Sequence, residues 1–489
     1  MVSPAPPPPP AQPSVKKWWL RITLWLGSAL LIALAVIGTL VYAFLHKFYP
    51  AVPAPNFPQP HSVAEAQRQD LEYFRNYLEY NRTYTPEARA EAARLLGDYE
   101  ARAGQLSTAQ FDLAVARMTA LADNGHSKVY PDSLRQRHNR LPCLLYHFSD
   151  GYYVVRARPA CQALLGARLV SIDGHSTEEI AGRMYRYVLG PRTHYDQYYS
   201  PFYLESPELL HAAGLAMAAD HVTLHVLLQD GTQVDLPMTA DPPDPKWQWW
   251  VYSNYYLTTE PIPGAPSDWK SVLPRDARLP QHLTEFNIPF RTRSWPGIYY
   301  ADFRSNISEN GHPIGPFVAS VAKEISTRKP RIVIIDLRFD QGGDFTTTAS
   351  LMSRITRLAP TIERVYILIS GWTFSAGETS AALAKEHGAG KVTLVGEPLG
   401  DRMRLWGEGR NMTLPNSQLE LHYATGLHDY SNPCWGQEGC FWTTHFFPMH
   451  VKTLAPDVPV PYTFADYRAL RDPALDYVLQ QSGISIPRT

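Results

Sequence analysis

The sequence predicts an α/β protein tethered to a membrane by one N-terminal helix. Three observations predict it. The run Ile22–Leu45 is uncharged and, at 1.5 Å per residue, long enough to cross a bilayer. After about Trp295, apolar runs such as RIVIIDLR (331–338), RVYILIS (364–370) and KVTLVGE (391–397) alternate with helix-like segments. Between about 140 and 240, short strand-like runs are broken by turn residues.

In chain order, residues 1–21 hold PAPPPPPAQP, a polyproline tail expected on the cytoplasmic side. Residues 22–45 are the expected transmembrane helix, flanked by Trp18, Trp19, Phe48 and Tyr49 as interfacial aromatics. Lys16, Lys17 and Arg21 precede it and only Lys47 follows closely, which points the N-terminus inward and the body outward. A cleaved signal peptide is the rival reading, but the run is long for one and lacks a clear small-residue exit. Residues 46–60 (YPAVPAPNFPQP within them) form a stiff spacer.

Residues 61–139 read as a helical cap. DLEYFRNYLEY and AQFDLAVARMTALA carry apolar positions at helical spacing, and Thr85-Pro86-Glu87 is a helix start. Residues 140–245 read as β-rich, through YYVVRA, ARLVSIDG and HVTLHVLLQDGTQVDLPM. Within them LLGARLVSIDGHSTEEI resembles the late core of a PDZ domain: strand, Asp-Gly turn, helix. Residues 246–489 form the α/β core, opening on KWQWWVYSNYY, a hairpin or a groove lining. GIYYADF reads as a strand and PFVASVAKEIST, TTTASLMSRI and SAGETSAALAKEHG as helices, so right-handed crossovers onto a central sheet are expected.

Whole-chain quantities narrow the function. A formal charge of -1 over 489 residues gives no field that would gather nucleic acid. The four cysteines, Cys143, Cys161, Cys434 and Cys440, suggest two disulfides in an oxidising compartment. Proximity favours Cys143–Cys161 and Cys434–Cys440, among three possible pairings. Glycosylation-type triplets begin at Asn81, Asn306 and Asn411. No metal motif, phosphate loop or dinucleotide fingerprint is present, and no cofactor is expected.

Three pieces carry chemistry. Asp336-Leu337-Arg338-Phe339-Asp340-Gln341-Gly342-Gly343 follows a strand, Thr373-Phe374-Ser375-Ala376-Gly377-Glu378 opens a helix, and Leu394-Val395-Gly396-Glu397-Pro398 ends a further strand. A serine at a helix start has backbone N–H groups and the positive dipole end around it. A Gly-Gly loop can bring a further N–H close with no side chain in the way. Ser375 is thus a candidate nucleophile, with Ala376, Gly343 and Gly342 as oxyanion donors; the alternative is a plain helix N-cap.

Together the three pieces resemble the serine peptidase family of the C-terminal processing peptidases and the tricorn core protease, over roughly residues 295–400. The resemblance implies a crotonase-like core, an acyl-enzyme mechanism and a polypeptide substrate. In the processing-peptidase branch a lysine in a VGExxxGKG-like segment is the base. Here VGEPLGDRMRL puts Asp401 and Arg402 in its place, and an arginine cannot serve. The tricorn-like branch uses a histidine in a DGHS-like segment, which TALADNGHSKV resembles with one extra residue, making His126 the expected base. The family's orienting glutamate falls in a segment that here reads THFFPMHVKTLAPDVPV, where His450 stands near the position. Ser127, Glu378, Asp123, Glu397 and Glu408 are the candidates for that role. A scaffold that keeps the fold without turnover and a crotonase-like acyl-CoA enzyme are the competing readings.

Overall fold

The computed structural model describes residues 3–7, 15–245, 253–261 and 268–483. Most of the polyproline tail and most of KWQWWVYSNYY lie outside the described residues; Ser253–Leu257 form one short helical turn. The chain divides into two compact units, Met1–Ala51 and Val52–Thr489.

The first unit carries one helix, Val15–Phe48, of 34 residues. It exceeds the apolar run because the Lys16–Lys17 and His46–Lys47 flanks stay helical. None of its apolar stretch is buried against protein. By length and composition it is fit to span a membrane or to serve as a signal sequence.

In the second unit, the helices Val63–Tyr80, Pro86–Ala101 and Thr108–Ala120 follow the expected periodicity. Each has a side-chain cap: Ser62, Thr85 with Pro86 behind it, and Ser107 in a reciprocal box with Gln110. The β-rich region forms a sheet that includes Cys143–Phe148, Gly151–Ala157, Arg168–Ile172, His221–Leu227 and Gln233–Thr239, in that spatial order. Cys143–Phe148 was not among the expected strands. Cys143–Cys161 and Cys434–Cys440 are both bonded, with Cα separations of 5.8 and 5.5 Å.

The core sheet has six strands, in the order Val458–Pro459, Val392–Gly396, Arg364–Ile369, Ile332–Asp336, Ile298–Phe303, Phe290–Trp295. The first five run parallel, and only the edge strand Phe290–Trp295 is antiparallel. All five residues of Ile332–Asp336 are buried, as a strand covered on both faces requires. The helix Pro473–Ser482 covers one face through Ala474, Leu475 and Val478. This parallel arrangement delivers two strand ends, at Asp336 and Ile369, to neighbouring points of one sheet edge. The loops that follow them meet there.

Asn81 and Asn306 are fully buried and hydrogen-bonded, Asn81 to Ser127 and Asn306 to Thr348, so neither presents a glycan acceptor to solvent. Asn411 lies exposed on the strand Arg410–Thr413.

Candidate active site

The loop after Ile332–Asp336 and the turn after Arg364–Ile369 are tied together by three hydrogen bonds. Ser370 Oγ donates to the Arg338 carbonyl at 2.5 Å, Thr373 Oγ1 to the Leu337 carbonyl at 2.7 Å, and Phe374 N–H to the Asp340 carbonyl at 2.9 Å. The turn then reverses at Ser375, whose φ of 54° and ψ of -121° lie where non-glycine residues rarely sit. The helix Ala376–His387 starts at once. Ser375 is only partly buried and its side chain makes no capping bond, so the plain N-cap reading does not hold.

Gly342 packs directly beneath this turn. A β-carbon there would lie 2.6 Å from Ser375 Cβ and 2.9 Å from Ala376 N, and its φ of 103° also excludes a side chain. Gly342 departs from its expected role: its N–H donates to Asp340 Oδ1 at 3.0 Å and is therefore engaged. The N–H groups of Gly343 and Ala376 donate to no acceptor among the described residues. Burial pushes the Asp340 carboxyl well above the usual range, with the Gly342 N–H opposing.

His126 stacks on Phe374, the residue before Ser375, with ring centroids 4.5 Å apart. His194 stacks on Phe374 as well, at 4.3 Å. Gly125 lets the loop come this close: a β-carbon there would lie 2.9 Å from the Phe374 ring. The loop is anchored on both sides of the histidine. Asn124, the extra residue of the motif, exchanges two hydrogen bonds with the Trp406 backbone at 2.9 and 3.1 Å. Asp123 is clamped by Arg402, which reaches its carboxylate at 2.9 Å and its carbonyl at 2.9 Å. Ser127, a candidate orienter, spends its hydroxyl on Asn81 and Thr83.

The carboxylate that meets the imidazole is Asp401. Its Oδ2 lies 3.2 Å from His126 Nδ1, and the two side chains are 2% and 12% exposed. The approach is oblique, short of good hydrogen-bond alignment, and His126 Nε2 has no partner among the described residues.

The sequence reading had Asp401 in view only as the residue displacing a lysine. The other candidates lie elsewhere. Glu397 binds Gln197 and the Tyr462 N–H, Glu408 faces His428 at 3.2 Å, and His450 is exposed with its N–H on Glu386. Glu378 is fully buried one turn after Ser375, and its carboxyl is held well above the usual range by burial and by the charge of Asp401.

Lys385 pairs with Asp457 and Lys391 bonds the Ile362 carbonyl. The lysine that packs by Phe374 is Lys128, whose ammonium lies 5.9 Å from that ring and 5.1 Å from Tyr130. Burial lowers Lys128 to about 8.

No family model matches the chain, and no curated protein matches it significantly. Solved structures do. Mature CPAF complexed with lactacystin is similar with a TM-score of 0.52 and 13% identity, covering 86% of this chain and 98% of that one. A CPAF point mutant is similar with a TM-score of 0.55 and 12% identity, covering 87% and 100%. At such identities the likeness gives a shared fold over nearly the whole length of both chains. A D1 C-terminal processing protease of photosystem II is also similar, at a TM-score of 0.38 and 12% identity over 81% of this chain and 93% of that one.

Proposed function

We propose that the chain is a serine peptidase in which Ser375, His126 and Asp401 form the catalytic set. Ser375 Oγ attacks the scissile carbonyl while His126 Nε2 takes its proton. Gly343 N–H and Ala376 N–H receive the oxyanion. His126 then gives the proton to the leaving amine, and water repeats the sequence on the acyl-enzyme. Asp401 holds the imidazole in the tautomer that leaves Nε2 free and stabilises the imidazolium that forms.

One observation carries this reading. The loop position that in the lysine-dependent branch supplies the base here supplies a carboxylate 3.2 Å from His126 Nδ1. Its neighbour Arg402 clamps the histidine loop. Lysine chemistry has been exchanged for a histidine with its orienter, within two consecutive residues. The resemblance of the motifs and the likeness of fold to CPAF support a polypeptide substrate. In this reading the six-stranded sheet is a crotonase-like core, the β-rich region is PDZ-like, and the N-terminal helix anchors the body outside the cytoplasm.

The test is turnover of an unstructured polypeptide. Ser375→Ala and His126→Ala should each lower it by about 10³-fold or more, and the double variant little further, since such residues act as a unit. Folded wild-type protein without turnover on several substrates favours the scaffold alternative. Activity surviving loss of His126 but not of Ser375 would move the base to Lys128.

A further inference from the structure

Behind Asp401 the protein buries a second carboxyl that the catalytic set does not use. Glu378 lies in the first turn of the helix that begins after Ser375 and is 0% exposed. The Asp401 backbone N–H faces its carboxyl, but outside good geometry, so neither Glu378 oxygen has a well-formed hydrogen bond among the described residues. Asp401 Oδ2 is likewise buried without one. Three buried oxygens without a protein partner are costly, at about 1–3 kcal/mol each when left unsatisfied. A carboxyl this deeply buried, with no well-formed hydrogen bond, is favoured in its neutral form. A single proton held between the two groups removes both difficulties.

We propose that Glu378 is a positioning residue: an uncharged carboxylic acid that donates its proton to Asp401 and so holds that carboxylate against His126 Nδ1. The relay then runs from the imidazole through the Asp401 side chain to a neutral Glu378. The surroundings fit this distribution. Burial together with the Asp401 charge favours the protonated form of Glu378. The groups facing the pair are His126, Lys128, whose ammonium is influenced by burial and then by Asp132 and Asp401, and Tyr430, whose phenol is kept neutral chiefly by burial. Tyr430 Oη shares a 2.8 Å hydrogen bond with Thr379 Oγ1, adjacent in sequence to Glu378, which closes the cluster.

The kinetic arm of the test rests on the peptidase reading; the spectroscopic arm does not. Glu378→Gln keeps a neutral donor of the same shape and should hold kcat within about threefold, whereas Glu378→Leu should lower kcat by about 10- to 100-fold at unchanged KM, as loss of an outer-shell partner does. Infrared difference spectra of the full-length wild-type protein against Glu378→Gln at neutral pH should show a protonated carboxylic-acid carbonyl stretch that the variant lacks. No such band would overturn the proposal whether or not the protein turns over substrate. A Glu378→Gln variant as impaired as Glu378→Leu, with both folded, would also overturn it, because a charged carboxylate would then be required. If no substrate is cleaved at all, the infrared result decides alone.

Discussion

Asp401 makes the site intelligible at the level of single residues. The imidazole stacks on Phe374, and in the proposed catalytic set the carboxylate 3.2 Å from Nδ1 is the group that would orient it once the contact tightens. Asp401→Asn keeps the shape but turns a pure acceptor into a group that can also donate, which permits the wrong tautomer. It should lower kcat by about 10²- to 10⁴-fold with little change in KM, measured on any substrate the wild type cleaves. Lys385→Met, which removes a cation paired with Asp457, should leave kcat unchanged. Gly342→Ala belongs to the same scale. Its β-carbon would fall 2.6 Å from Ser375 Cβ at a φ of 103°, so the variant should lose most activity while circular dichroism still shows a folded chain. Asp401 escaped the sequence reading because its partner, His126, is distant in sequence and the two loops join only in three dimensions. The Gly-Gly and serine pieces were legible because each follows its own strand.

The secondary elements were legible where burial is two-sided. Ile332–Asp336, Arg364–Ile369 and Val392–Gly396 lie within the apolar runs that announced them. Short elements were not legible. Arg404–Gly407, Arg410–Thr413, Glu420–Tyr423 and Gly426–Asp429 are four-residue strands turned by Glu408 and Gln418 at positive φ, with no glycine-rich turn signal at Gln418. Yet they hold the histidine loop, through Trp406 and through His422, whose Nδ1–H donates to the His126 carbonyl at 2.7 Å. A set of ion pairs joins the loop after Ile332–Asp336 to the helix Pro473–Ser482. Arg338 bonds Asp336 on one side, at 3.0 Å, and Asp472 on the other, at 2.7 and 2.9 Å, and Asp472 also meets His282 at 2.9 Å. Burial opposes ionisation of Asp472, but Arg338 and His282 outweigh it and hold the carboxyl well below its ordinary 3.8. On acidification below about pH 4 the unfolded chain therefore takes up a proton that the folded chain refuses, so stability falls as pH falls through that window. Asp472→Ala, which leaves Arg338 and His282 facing an emptied site, should cost about 3 kcal/mol at neutral pH and flatten the acid limb in thermal melts. An unchanged Tm would show that the pair does not hold the loop.

Across the whole molecule, the closed disulfides hint at an oxidising compartment, and the placement of the body outside the cytoplasm is a proposal that rests on the sequence. Both disulfides are closed, and no free cysteine remains. The proposed inside N-terminus rests on the charge bias of Lys16, Lys17 and Arg21 ahead of the apolar run. Thiol labelling of the denatured, unreduced protein should find no reactive cysteine, and a C-terminal reporter that works only in the cytoplasm should be silent. Four free thiols or a bright cytoplasmic reporter would contradict the proposed setting. The central proposal, however, is chemical: Ser375, held at φ 54° and next in sequence to the Phe374 ring on which His126 stacks, is proposed to be an activated nucleophile. The most direct measurement is acylation by a fluorophosphonate probe, compared between wild type and Ser375→Ala with both proteins shown to be folded. Covalent labelling of the wild type at Ser375 and none of the variant is the predicted result. Labelling that persists in Ser375→Ala, or a folded wild type that never labels, would contradict it.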